Sequence, residues 1–382
     1  MRVAVNLTWL VPGQVGGSEE ATTALLGAVL DRTGPGSPEA GIALHLLVAP
    51  SFVEAYPDLV ARCEHSISPT PNRSRLRRVL SDNTWLRRAV GSAEADLVHH
   101  AGGVVPPAVT ARCTLTVHDI QPLDHPEHFS AAKRWYLGAL LGRSVRRAVR
   151  VAVPSVAVRE RLVAKLGADA SRVDVVPWPV PASPGSGEAE SPAVVEEMGV
   201  NAPFLLYPAI AYPHKRHELL VEAWVAARRR GVDVDLVLTG RPGPRLDAAV
   251  HLAAGAGMAP HLHVLGRVPR PTLDALYRGA EATVFTSAYE GFGLPVAESL
   301  QRGTAVVAAP LPAYDPLMPG ILAVDDDSPQ AWADAIVELL DDPALRRRLV
   351  DQGRDAVSAL TPERSAAAQI ASWRHAVEGA TP

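Results

Sequence analysis

Short apolar runs alternate with amphipathic stretches along all 382 residues. The runs "RVAVNL", "ALHLLVA", "DLVHH", "CTLTVHD", "RVAVPS" and "VDVVP" predict the strands of a first unit; "FLLYPA", "DLVLTG", "HLHVLG", "ATVFTS" and "AVVAAP" predict those of a second. Several are nearly continuous Val/Leu/Ile runs instead of alternating ones, as parallel strands covered on both faces require. Between them lie helices such as "HELLVEAWVAARRR", where Leu219, Leu220, Ala223, Trp224 and Ala227 recur at helical spacing. The alternation predicts an α/β chain of two doubly wound, parallel-sheet, Rossmann-like domains. The stretch "PASPGSGEAESPAVVEEMG" is rich in Pro, Gly, Ser and Glu. It places a linker at 183–199, between domains at 1–182 and 200–360. A final helix at 361–382 opens with a Thr361 cap and Pro362 in its first turn, and is free to pack on either domain.

Composition narrows the class. An apolar share of 47% and a charged share of 20% describe a globular chain. Cys63 and Cys113 can build no disulfide framework and lack metal-site spacing, which fits a reducing compartment. The N-terminal apolar run is too short for a signal peptide, and no later segment reaches about 18 uninterrupted apolar residues. A cytoplasmic protein is expected. The first 182 residues carry 20 Lys+Arg against 16 Asp+Glu, and the remainder 17 against 25. Arginines gather in "NRSRLRRVL", "WLRRAV" and "GRSVRRAVR". Solvated helix faces explain them most simply; attraction to an acidic acceptor or to the inner face of a membrane, through weak peripheral contact of the N-terminal domain, is the alternative. With no aromatic interleaving and no continuous basic face, nucleic acid is not an expected partner.

Open parallel sheets bind ligands beyond the carboxyl ends of their strands, so the loops after strands should carry the chemistry. Four segments stand there. "YEGFGLPVAESLQRG" places Gly291 and Gly293 before a helix with Pro295 in its first turn, a start that offers free N–H groups to phosphate. Glu290 lies in the loop before that helix and Glu298 in its first turn. "YPAIAYPHKRHELL" puts Lys215 at a helix start, where a cation is electrostatically misplaced without an anion nearby. "TVHDIQPLDHPEHFS" puts His118 and Asp119 at a strand's carboxyl end, and His99 and His100 end a neighbouring strand. "VPGQVGGSEEATTALL" sets Gly16 and Gly17 before a helix with Glu19 and Glu20 in its first turn. "VDDDSPQ" (Asp325, Asp326, Asp327) suits a helix cap at Asp327 or Ser328 better than a metal, and no metal is assigned. Neither Gly-x-Gly-x-x-Gly after the first strand nor a Walker lysine motif occurs, so nicotinamide and ATP chemistry lose ground.

"YEGFGLPVAESLQRGTAVVAA" resembles the Glu-x7-Glu signature of the retaining, nucleotide-sugar-dependent glycosyltransferases of family 4 (glycosyl transferases group 1). "VLGRVPRPTLDALYRGAEATVFTSAYE" is similar to the same family, and the likeness spans nearly the whole chain, most strongly from about 204 to 310. The resemblance implies the GT-B fold, with two Rossmann-like domains facing a cleft. It implies that Glu290 contacts donor-sugar hydroxyls, Glu298 the ribose, and Lys215 the diphosphate. The backbone of Gly291, Phe292, Gly293 and Leu294 would line the sugar and diphosphate, with Val268 also at the nucleotide. His118 would contact the sugar near its reacting centre, Asp119 would support that loop, and Gly16 and Gly17 would approach the diphosphate or acceptor. Where many members have an Arg, this chain has Ile210; Arg216 or Arg241 is the candidate substitute. The implied activity is metal-independent, retaining hexosyl transfer, with no cofactor beyond the donor itself. GDP-mannose is favoured over UDP- or dTDP-sugars, and the acceptor is a glycan, lipid-linked or small-molecule hydroxyl. A GT-B phosphorylase or epimerase, or a non-catalytic sugar-nucleotide-binding partner subunit, stays open beside it.

Overall fold

The computed structural model describes residues 1–37, 39–70, 75–128, 131–180, 193–200 and 203–379. The expected linker therefore lies outside the described residues as far as 192, as do 71–74 in the first arginine stretch and 380–382 at the end of the final helix. The chain divides into two compact units, Met1–Pro179 with Leu360–Pro382, and Val180–Ala359.

The first unit is built on a seven-stranded sheet: β1 (Arg2–Asn6), β2 (Ala43–Val48), β3 (Glu64–Ile67), β4 (Leu97–His100), β5 (Cys113–Thr116), β6 (Arg150–Val153) and β7 (Val173–Val175), in the order β3-β2-β1-β4-β5-β6-β7. Every pairing is parallel, with Val3 opposite Leu44 on one side and Leu97 on the other. Strand order reverses between β1 and β4, which is the switch point of this sheet. The central strands are buried along almost their whole length, which is why they read as apolar runs. The sequence pattern missed β3, "EHSI": as an edge strand its side chains are largely exposed, and it has no apolar run to betray it.

The final helix, Pro362–Glu378, belongs to the first unit. Thr361 caps it by accepting from the Arg364 N–H at 3.3 Å. Its Ala366, Ile370, Trp373 and Ala376 share one core with Val3, Val5 and Leu26. Fully burying a side chain such as Ile370 stabilises by about 1.5–3 kcal/mol. Arg112 Nε donates to the Ala376 carbonyl at 2.5 Å, and Ser372 Oγ donates to Asp174 at 2.7 Å.

The second unit carries a six-stranded parallel sheet: β8 (Phe204–Pro208), β9 (Asp235–Thr239), β10 (Leu262–Gly266), β11 (Ala282–Phe285), β12 (Val306–Ala308) and β13 (Ile321–Ala323), in the order β10-β9-β8-β11-β12-β13. Its switch point lies between β8 and β11. The strand missed from sequence is again an edge, the three-residue β13. The helix His217–Arg229 buries Leu220, Ala223, Trp224 and Ala227 of the predicted stripe, and Val221 beside them, whereas Leu219 is only half-buried.

Candidate active site

In the second unit the loops after β8 and β11 are tied together at the switch point. The Ala288 N–H donates to the His214 carbonyl at 2.8 Å. The Lys215 carbonyl accepts from Tyr207 Oη at 2.6 Å and from Thr286 Oγ1 at 3.0 Å. A single turn, Pro213–Lys215, is thereby held against the end of β11. Arg216 follows in the left-handed region (φ 52°, ψ 49°), costly for a residue with a Cβ. Lys215 therefore stands just before the helix at His217 and not in its first turn. The Arg216 guanidinium is engaged by both carboxylate oxygens of Asp327, so it is no free substitute for the missing charge at Ile210. Arg241 is exposed and donates to Tyr212 Oη at 3.2 Å.

Lys215 Nζ donates to Glu290 Oε1 at 2.5 Å, joining two residues 75 positions apart. The pair is largely sheltered, with side chains 16% and 13% exposed. The Tyr314 hydroxyl lies beside Ser287 and Glu290; burial, then the Glu290 charge, push its ionisation well above the ordinary phenol range. The Tyr314 ring also closes on Gly293, where a Cβ would fall 2.3 Å from a ring carbon. Gly293 takes φ 90°, so both its conformation and its neighbour exclude a side chain. Gly291, unlike Gly293, does not take a positive φ.

Gly293 caps the helix Leu294–Gln301. Its first turn ends before Glu298, which the sequence reading had placed inside it. Glu298 is instead a buried second-turn residue, only 3% exposed, and its carboxylate is fixed from two sides. Arg270 Nη1 donates to Oε1 at 2.5 Å and Tyr277 Oη donates to Oε2 at 3.0 Å. Arg270 also pairs with Asp274 at 3.3 Å, and Asp274 accepts from Arg302 Nε at 2.5 Å. Charges thus alternate along Arg302, Asp274, Arg270 and Glu298. A carboxylate has about four lone-pair sites, so Glu298 keeps acceptor capacity after these bonds. Phe292 and Leu294 have buried side chains, and Val268 packs at the margin of the core around Val195 and Phe204.

In the first unit, Gly16 (φ 79°, ψ −144°) caps the helix Gly17–Thr33. Glu19 ties the loop before it: its two oxygens accept from the Gly13 N–H at 2.9 Å, and Oε1 also accepts from Tyr56 Oη at 2.6 Å. His118 sits between two tryptophans, Trp9 with ring centroids 5.2 Å away and Trp178 at 5.6 Å. His118 Nε2 bonds the Ala101 carbonyl at 2.8 Å, which requires a proton on Nε2 and leaves Nδ1 as an acceptor with no protein partner among the described residues. Burial lowers its pKa to about 4, so the ring is neutral near pH 7. Asp119 accepts from the Gln121 N–H at 3.0 Å and shapes the loop.

His99 and His100 are buried sheet residues. His99 bonds Thr114 and Thr116 on the neighbouring strand at 2.9 and 3.1 Å. His100 Nδ1 accepts from Asn6 Nδ2 at 3.1 Å, because the Asn6 oxygen is taken by Thr8. Burial, above all, lowers both pKa values to about 3. A cavity of about 30 Å³, room for about one water, lies among Thr22, His99, His118, Trp178, Gln369 and Trp373.

Two aspartates of "VDDDSPQ" serve local structure. Asp326 accepts from the Ser328 N–H at 2.6 Å, Ser328 caps the helix Pro329–Asp341, and Asp327 holds Arg216. Sequence reasoning missed Tyr314, Arg270, Tyr277, Trp9 and Trp178. None carries a local signal, since each reaches its place through the topology.

Two doubly wound parallel sheets, with polar groups gathered at the switch points, are the architecture of GT-B glycosyltransferases. Across its full length the chain superposes on the sucrose-phosphate synthase of Thermosynechococcus elongatus, with a TM-score of 0.75 at 18% identity and coverage of 100% of both chains. Residues 28–183 match the model of Glycosyltransferase Family 4 and residues 195–356 that of Glycosyl transferases group 1. The chain belongs to this family of glycosyltransferases. It is 37% identical over 153 residues to the D-inositol 3-phosphate glycosyltransferase of Corynebacterium glutamicum, covering 38% of this chain and 36% of the relative. It is 26% identical over 237 residues to the O-antigen chain mannosyltransferase RfbU of Salmonella typhimurium, covering 61% and 63%. The chain thus spans less than two thirds of either curated relative. Among the described residues, no helix is long and apolar enough to cross a membrane.

Proposed function

We propose that the chain transfers a hexosyl group from a nucleoside diphosphate sugar to an acceptor hydroxyl, with retention at the anomeric carbon and without a metal. The observation that carries this reading is the Lys215–Glu290 pair at the β8/β11 switch point, beside the helix start at Gly293. A cation and a helix N-terminus suit a diphosphate, and a sheltered carboxylate suits sugar hydroxyls. Lys215 would stabilise charge on the departing diphosphate, an effect that fixed electrostatics supply without reorganisation. Glu290 would hold the sugar, Glu298 the ribose diol, and the backbone at 291–294 the diphosphate. His118, a neutral ring flanked by the two tryptophans, would contact the sugar near its reacting centre, through side chain or backbone. No carboxylate is assigned as a covalent nucleophile; Glu290 is committed to a cation, which suits positioning.

A mannosyl donor carried by GDP is the preferred substrate in this reading. It is supported by the likeness of the "PHKRH" loop to GDP-mannose-using members and by the mannosyltransferase among the relatives. Thermal unfolding of the chain with GDP-, UDP-, ADP- and dTDP-sugars tests it: one base series should raise the melting temperature by several degrees in a concentration-dependent way. Stabilisation by none of them would remove the donor assignment.

A further inference from the structure

We infer that the Lys215–Glu290 ion pair makes the site discriminate the intact donor from the spent nucleotide, by an exchange of partners. This rests on the donor reading above and concerns what that reading leaves open, how the site tells substrate from product. In the structure the lysine that would meet the diphosphate is bound to the carboxylate that would meet the sugar, at 2.5 Å and mostly out of solvent. Lys215 has three N–H donors but one charge, so a diphosphate competes with Glu290 for that charge and brings like charge beside the carboxylate. Removing one partner of a sheltered ion pair leaves the other charge uncompensated, which is strongly unfavourable.

The surroundings of Glu290 decide what can offset that loss. Tyr314 is fully buried and its hydroxyl faces the carboxylate and Ser287, but a neutral phenol does not cancel a charge. Arg216, which follows Lys215 in the chain, is held by Asp327. The Tyr314 hydroxyl can donate one hydrogen bond to Glu290; the further ones needed to offset the lost cation must come from the ligand. Sugar hydroxyls supply them, and hydrogen bonds to a charged group are among the stronger ones. A nucleoside diphosphate supplies none at that place. The donor takes Lys215 and compensates Glu290 together; the product takes Lys215 and strands Glu290. The pair re-forms once the sugar has left, and this favours release of the nucleotide.

Calorimetric titration of the full chain with GDP and GDP-mannose, and with UDP and UDP-glucose, tests this on the parent and on Glu290→Gln and Glu290→Asp. Glutamine removes the charge that holds Lys215 back. Glu290→Gln should bind the free nucleoside diphosphate at least ten-fold tighter than the parent does, while its preference for the sugar-bearing form collapses. Glu290→Asp keeps the charge and should stay within about three-fold of the parent for the free nucleotide. If Glu290→Gln binds the free nucleotide no tighter than the parent, the pair is only structural and the inference fails while the donor reading stands. If no nucleotide binds parent or variants, the donor reading fails and takes the inference with it. Should Glu290→Gln not fold, a free-nucleotide affinity of Glu290→Asp that departs ten-fold or more from the parent overturns the proposal.

Discussion

In the second unit the charges assigned to the donor are matched in advance: Lys215 by Glu290, and Glu298 by Arg270. In the first unit the histidines at the strand ends are neutral. His99, His100 and His118 are kept uncharged by burial, and His118 keeps an acceptor nitrogen with no protein partner. One sheet thus ends in ion pairs, the other in histidines kept neutral by burial. On the proposed reading this difference matches what each would meet: a diphosphate brings its own charge, whereas sugar and acceptor hydroxyls bring only hydrogen-bonding groups.

The comparison breaks most visibly at Lys215. Lys215→Ala should lower kcat/KM about 10²–10³-fold, the scale seen when a preorganised electrostatic group is lost, with the fold retained by circular dichroism. A loss of only a few-fold would mean the pair does not face the leaving group. Arg270 comes next. Arg270→Ala frees Glu298 and should raise donor KM about ten-fold with a smaller change in kcat, and Arg270→Lys should recover part of it. An unchanged KM in Arg270→Ala would detach the Arg302–Asp274–Arg270–Glu298 chain from the ribose.

The smallest effect separates the units by pH. His99 and His100 titrate near 3 and His118 near 4 in the fold, against about 6.5 when unfolded. Their neutral forms contribute stability that is fully present above pH 6.5 and is lost as pH falls toward 4. In the second unit only His217 among the described residues has a comparable depression, to about 4. Each such group removes up to about 1.4 kcal/mol per pH unit in that window. Acidification from pH 7 to 5 should therefore destabilise the first unit more than the second, followed by hydrogen exchange of peptides from each unit. Parallel shifts of both units would show that the histidine frame is not the weak point in acid.

Much of this architecture is legible in the sequence because it is local. Central parallel strands must be apolar on both faces, so β1, β4, β8 and β9 announce themselves. The edge strands β3 and β13 do not, since one is polar and the other only three residues long. At the site, the Gly293 turn and Lys215 stand out by their own neighbours. What closes around them does not: Glu290 reaches Lys215, Tyr314 reaches Gly293, and Arg270 reaches Glu298 only after the sheet has brought distant loops together. Glu19 reads as an ordinary first-turn acid, yet it is the anchor of the Gly13 loop. Periodicity records which face is buried; it is silent on which side chains meet across a switch point.

The central claim is that the β8/β11 switch point of the second unit holds the nucleotide sugar. Hydrogen exchange of the whole chain, followed by mass spectrometry with and without the sugar nucleotide that stabilises it most, tests this directly. The account predicts marked slowing in peptides covering 209–216 and 287–298. Tight binding with those two segments exchanging as in the free protein, and protection elsewhere in the second unit, would contradict it.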